Sequence, residues 1–206
     1  MRVALGLKAR TGRAILVALG GDLRELHVIE RSQLQLLPEG AFAPYHAAEG
    51  LAPAAARDSV RQSVATAHRL AAEGVRAAAT RLVAAGHQVV GCGILVGAGM
   101  PAWTTDEILA VHVRMHQAEG ELFREVLVAG ARACSLPITT LRDKCALDDA
   151  GRLLALPSSR LAELVAAPKK TVGAPWGADQ KEAAAAAIAA LFGSGSAPAV
   201  ERPQIL

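Results

Sequence analysis

The residues of this chain best suited to chemistry are His112, His116 and Glu119, which fall within the stretch HVRMHQAE. At about 100° per residue, a helix places these three within roughly 60° of one another on a single strip. Two imidazoles one turn apart can present nitrogens to one ion, and a carboxylate a turn further on can be a third ligand. The strip is therefore a candidate site for a divalent metal. Leu109 and Phe123 flank it, so it borders the core rather than open water. Gly120 beside it leaves room for another backbone or a ligand, at a helical cost of about 1 kcal/mol relative to alanine. A fourth ligand would have to come from elsewhere. The long Pro/Gly/Ala-rich segment Pro38 to Ala56 carries the only tyrosine, Tyr45, beside His46, and these are the candidates. The competing expectation is a structural one, in which both histidines are hydrogen-bonded packing residues. The pair lacks the intervening glutamate of zinc peptidases, and Arg114 cannot serve as a general base.

Elsewhere the sequence has no nucleophile elbow, no glycine loop with a phosphate-binding lysine and no dinucleotide fingerprint. Arg57, Arg61 and His68 project from one edge of a helical pattern; they read either as a solvated face or as a track for phosphates. A net charge of +3 permits a phosphate-bearing partner without implying one. Cys92, Cys134 and Cys145 are odd in number and widely spaced, which suits a reducing compartment better than a disulfide framework. The first residues are too short an apolar run for a signal peptide, and no segment reaches membrane-spanning length. A soluble, cytoplasmic chain without a membrane partner is expected.

The elements that must position these residues are organised around Gln88 to Gly99. Its apolar run, with Gly91 and Gly93 inside it, predicts a strand buried on both faces, where glycine admits a close covering element. Before it, Val3 to Leu7, Ala14 to Leu19 and the alternating Leu26 to Leu36 predict an antiparallel meander, with Lys8 to Gly12 as its first turn. Arg57 to Ala85 carries an apolar helical stripe, and Gly86 stops it. Asp106 to Ala133 is a second long helix, capped by Thr104 or Thr105. Leu136 to Leu141 predicts a fifth strand, followed by a turn at Asp148 to Gly151. A short helix from Ser159 to Ala167 and a last helix, Asp179 to Phe192, complete residues 1–193, read as one domain. Residues 194–206 have a linker composition and are expected to be a flexible tail.

The fold class expected is α/β, with a mixed five-stranded sheet. Its order, three antiparallel strands and then helix, strand, helix, strand and terminal helices, resembles the ribonuclease H-like superfamily. Two segments echo that family: Leu5-Gly6-Leu7-Lys8 looks like the first strand of resolvase-type members, and Asp179-Gln180-Lys181-Glu182-Ala183 like the acid-bearing start of their last helix. The resemblance implies clustered carboxylates holding two divalent metals that clamp a phosphodiester. The chain departs from that pattern, because Lys8 stands where the first carboxylate belongs and Val96 to Gly99 offers none. Asp179 and Glu182 remain, and also read as ordinary acids of a helix N-terminus. The layout is similar as well to the middle domain of archaeo-eukaryotic release factors, but Pro38 to Ala56 lacks that family's Gly-Gly-Gln. Two expectations follow. One is a non-catalytic or accessory ribonuclease H-like domain with a nucleic-acid or ribonucleoprotein partner, using Arg57 and Arg61. The other is a metal-dependent or small-molecule hydrolase built on His112, His116 and Glu119.

Overall fold

Alternating apolar residues in the first third of the chain pair into an antiparallel meander: β1 (Arg2–Arg10), β2 (Arg13–Gly21) and β3 (Leu26–Gln35). The computed structural model describes residues 1–41 and 43–193, so the tail expected at 194–206 lies outside the described residues. Both β1 and β2 run further than the apolar pattern predicts. Lys8, Ala9 and Arg10 are strand, paired with Ile15, Ala14 and Arg13, and the turn contracts to Thr11 and Gly12. Gly12 has φ +69°, a conformation that suits glycine.

The segment after the meander is not a bare loop. Pro44 starts a short helix, α1 (Pro44–Ala48), and Pro53 starts α2 (Pro53–Ala84), each proline at a position where its missing N–H is harmless. The α2 stripe of Val60, Ala67, Ala71, Val75, Ala78 and Leu82 is buried. The chain then enters β4 (Gln88–Val96), which pairs parallel to β1 as a crossover through α2 requires.

The helix expected at Asp106 to Ala133 is broken in two. Thr104 and Glu107 form a reciprocal capping box that starts α3 (Thr105–Leu109), and Val111, extended at φ −139°, separates it from α4 (His112–Ala133). β5 (Ile138–Arg142) pairs parallel to β4. The turn expected at Asp148 to Gly151 is helical, inside α5 (Ala146–Leu154), with Asp148 and Asp149 in its first turn. α6 (Ser158–Ala166), α7 (Lys169–Val172) and α8 (Ala178–Phe192) follow. The sheet order is β3-β2-β1-β4-β5, so β4 is interior and β3 is an edge.

One face of the sheet is covered by α2 and α4 and the other by α5, α6 and α8, giving two apolar layers. A third cluster, built on Tyr45, Val60, Ile108 and Met115, locks α1 onto α2, α3 and α4 rather than over the sheet. On the α8 side, Ala183 to Ala187 are fully buried and the helix backbone lies against two glycines. A Cβ on Gly6 would strike the carbonyl of Ala183, and one on Gly93 the backbone of Ala186. Gly6 and Gly93 are register partners across β1 and β4. The α8 N-terminus is held in turn by Arg31, whose guanidinium donates to the carbonyls of Gly173 (3.1 Å) and Pro175 (2.8 Å). The buried indole of Trp176 donates to Val165 at 2.8 Å. Gly93→Ala is expected to lower stability by at least about 2 kcal/mol, because a backbone contact cannot rotate away. Gly86→Ala meets nothing within 4 Å but carries φ +81°, so its cost, about 1 kcal/mol, is conformational only. Urea denaturation of the two variants checks the difference; equal midpoints would refute the close approach.

Candidate functional site

β1, β4 and β5 run parallel, so their C-terminal ends share one edge of the sheet, where ligands of open α/β sheets ordinarily bind. The α8 N-terminus reaches the same edge. Lys8, from β1, is buried there with its side chain 8% exposed. Its ammonium lies 3.6 Å from Asp143 and 3.5 Å from Asp179, and it donates a hydrogen bond to Glu182. Asp143 follows β5 directly and is fixed by its N–H bond to the Val96 carbonyl, at 2.8 Å. Its other oxygen accepts from Arg124 of α4 at 2.7 Å, and Arg124 also faces Glu121 at 3.5 Å. Arg10 grips both oxygens of Asp179, with Nε at 2.9 Å.

Three cations (Lys8, Arg10, Arg124) thus meet four carboxylates (Glu121, Asp143, Asp179, Glu182), leaving one net negative charge. The arginine hydrogen bond pulls the Asp179 carboxyl below its ordinary value, against the opposing effect of burial and with help from the charges of Arg10 and Lys8. Burial pushes Asp143 upward, but the Arg124 hydrogen bond and the charges of Lys8 and Arg124 together outweigh it, and its value is lowered too. A two-metal centre needs carboxylates converging on space for dications. Here an ammonium occupies the point of convergence, so the residues present do not fit that centre.

The acids are not simply helix N-terminal ones. Asp179 and Glu182 are brought to Lys8, and Glu121, Arg124 and Asp143 join them unforeseen. Asp143 had a signal, since it directly follows a strand parallel to the one bearing Lys8. Glu121 had none: it comes from α4 and lies against Gly97, just past β4, where a Cβ would collide with its carboxylate.

A second cluster forms where α1 meets the start of α4. His112 is the first residue of α4, held in place by the break at Val111 and by Arg114, which donates to the Glu107 carbonyl at 3.0 Å and stacks over Trp103 at 4.8 Å. His112 and His116 are exposed, with their Nε2 atoms 3.1 Å apart. The ring of His46 lies 5.1 Å from that of His112 and 4.6 Å from that of His116. Glu119 lies behind His46 and is not one of the three residues whose nitrogens come together. Its Oε1 accepts the N–H groups of Tyr45 (3.0 Å) and His46 (3.1 Å), capping α1, whose own N-cap, Ala43, has no side chain to do so. Both its oxygens lie 2.9 Å from His46 Nδ1. Tyr45 is buried, and its hydroxyl is pushed up to about 12 by burial and by the charges of Glu119 and Glu125. Arg57 and Arg61 are paired with Asp106 and Asp58 at 2.7 and 2.8 Å.

No family profile and no curated protein sequence matches the chain. Among solved structures it is similar to RuvC of T. thermophilus in complex with a Holliday junction substrate, at TM-score 0.50 and 10% identity over 91% of each chain. A second structure of Thermus thermophilus RuvC aligns at TM-score 0.47 and 11% identity, over 90% of this chain and 91% of that one. With the sheet order, the first of these likenesses gives the chain the ribonuclease H-like fold, a mixed five-stranded α/β architecture. Among the described residues no helix is long and apolar enough to cross a membrane.

The depressed values of Asp143 and Asp179 set an acid limit. Stability from these groups is complete above the ordinary carboxylate value near 4 and is lost as pH falls through their lower folded-state values. Asp179→Asn should cost about 1 kcal/mol at pH 7, since the pair with Arg10 is partly exposed. The gap between variant and wild type should begin to narrow below about pH 4 and close once pH falls below the lowered folded-state value of Asp179. Thermal melts from pH 7 to pH 2 measure this, and a gap that persisted in acid would show that Asp179 acts through packing.

Proposed function

We propose that the chain is a nucleic-acid-associated ribonuclease H-like domain that binds its partner at the sheet edge and does not cleave it by a two-metal route. The observation that carries this is the Lys8 ammonium, lodged among Asp143, Asp179 and Glu182. A fixed internal cation offsets part of the carboxylates' charge and keeps them together, which is the structural service a metal would otherwise provide. Without that charge balance, the carboxylates would repel a phosphate backbone. Arg13 and Lys144 stand exposed at the same edge, and neither has an ion pair among the described residues. The likeness to a RuvC structure solved with a Holliday junction supports the choice of nucleic acid as partner.

Binding of branched DNA, duplex DNA and RNA, followed by fluorescence anisotropy across a salt series, tests the reading. Affinity should fall steeply with salt, and replacing both Arg13 and Lys144 by Glu should flatten the logarithmic slope by about 0.9 for each phosphate no longer neutralised. No cleavage is expected with magnesium or manganese. Robust cleavage abolished by Asp179→Asn would overturn the proposal, as would binding indifferent to salt. Lys8→Ala probes the cation directly. Removing it takes from Glu182 its ion-pair partner, while Arg124 and Arg10 still hold Asp143 and Asp179, and should cost about 3 kcal/mol. Manganese should recover part of that loss in the variant and leave the wild-type melting temperature unchanged.

A further inference from the structure

We infer that His46, His112 and His116 form a binding site for a divalent transition-metal ion, oriented from behind by Glu119 and separate from the sheet-edge carboxylates. One ligand-capable atom from each of the three residues lies within 4.8 Å of the other two. Around an ion with metal–nitrogen bonds of about 2.0–2.1 Å, tetrahedral geometry places neighbouring nitrogens about 3.3 Å apart. The Nε2 atoms of His112 and His116 already meet that spacing, at 3.1 Å. Being exposed, both rings can turn to bring the two distances to His46 in.

His46 supplies the independent observation. Its Nδ1 lies 2.9 Å from both oxygens of Glu119, and a proton shared with that carboxylate leaves Nε2 with the lone pair. His46 Nε2 is buried and has no hydrogen-bond partner among the described residues. A buried acceptor without a donor is costly, and an ion satisfies it. A ligating histidine whose other nitrogen is bonded to a carboxylate is the arrangement that fixes the tautomer and raises the basicity of the ligand. Glu119 is itself rigid, because it also accepts two backbone N–H groups of α1. The α1 segment is thereby fastened to α4 with its histidine aimed at the helical pair.

The donor set defines the ion. Three imidazoles and no thiolate suit zinc, copper, iron or nickel, and disfavour magnesium and calcium, which require oxygen ligands. His112 and His116 lie on the solvent side, so an ion held here keeps at least one outward position for water or a small anionic ligand. Three protein ligands with an open fourth position is the pattern of metal sites that do chemistry rather than brace a fold.

The test is titration of metal-free, full-length protein with Co²⁺, followed by visible absorption, and competition with Zn²⁺. One equivalent of Co²⁺ should bind with the strong visible bands of a four-coordinate nitrogen site, and Zn²⁺ should displace it. His112→Ala, an exposed change that spares the fold, and His46→Ala should each weaken binding at least 10-fold. Glu119→Gln keeps an acceptor for the α1 backbone but loses the charge behind His46; it should weaken binding roughly 10- to 100-fold. His27→Ala, outside the cluster, should change nothing. Absence of Co²⁺ uptake would overturn the proposal, and so would uptake that survives His46→Ala, which would mark an ordinary exposed helical pair. Should His46→Ala fail to fold, ¹⁵N NMR of the wild-type imidazoles with Zn²⁺ decides the matter. Movement of all three ring signals supports the site, and an unmoved His46 overturns it.

Discussion

The backbone of α8 rests directly on the sheet, and the rest of the structure depends on that contact. Gly6 and Gly93 stand side by side in neighbouring parallel strands, and the carbonyls of Ala183 and Ala186 occupy the space their side chains would have filled. Five successive alanines, Ala183 to Ala187, complete the seam. Close approach gives small side chains dense packing, which large residues at the same places would forbid. It also sets the height and direction of the helix, and therefore the position of Glu182 immediately before the seam and of Asp179 one turn ahead of it. Carboxylates so placed can only reach the end of β1, where Lys8 and Arg10 meet them.

Lys8 is the cation around which the sheet-edge carboxylates gather. A buried ammonium is tolerated only when paired and hydrogen-bonded, and here three carboxylates surround it. The reverse holds as well. Asp143, Asp179 and Glu182 would repel one another if nothing positive stood between them, and the lysine stem delivers that charge covalently. Unlike a dissociable ion, it cannot exchange with solvent or open a coordination position for a water. What is left is an edge whose fixed charges nearly cancel, rimmed by exposed cations.

Much of the frame could be read from apolar periodicity. The meander, the buried strand at Gln88, the two long helices and the edge position of β3 all follow from local patterns of spacing two or three to four. Failures came where distant partners overrode the local pattern. Lys8 to Arg10 look like a turn because charge interrupts the run, yet Lys8 is buried against Glu182, 174 positions away. The break at Val111 carries no glycine or proline to announce it. The capping box of Thr104 and Glu107, by contrast, marks a helix start correctly but not how soon that helix ends. The histidine pair was visible from its spacing, and its neighbour His46 could be named only as a candidate. The role of Glu119 could not be foreseen, because α1 lacks a capping side chain of its own and takes one from another helix.

One helix connects the two clusters. α4 offers His112 and His116 in its first two turns, Glu119 on its buried side, and then Glu121 and Arg124 toward the strand ends. A divalent ion entering this protein meets two unlike environments along that helix. At the sheet edge the oxygen donors suited to magnesium or manganese are already held by ammonium and guanidinium groups, so binding there must first break charge-assisted hydrogen bonds. Near α1 the donors are imidazoles with no cation among them, and the one strong charge, on Glu119, is turned to the back of His46. A softer transition ion therefore loses less by settling on the histidines, and a hard ion gains little at either place. The chain thus holds its sheet-edge carboxylates with its own cations, which makes that edge unfavourable for metal, and it builds the one three-histidine cluster among its described residues at the start of the same helix.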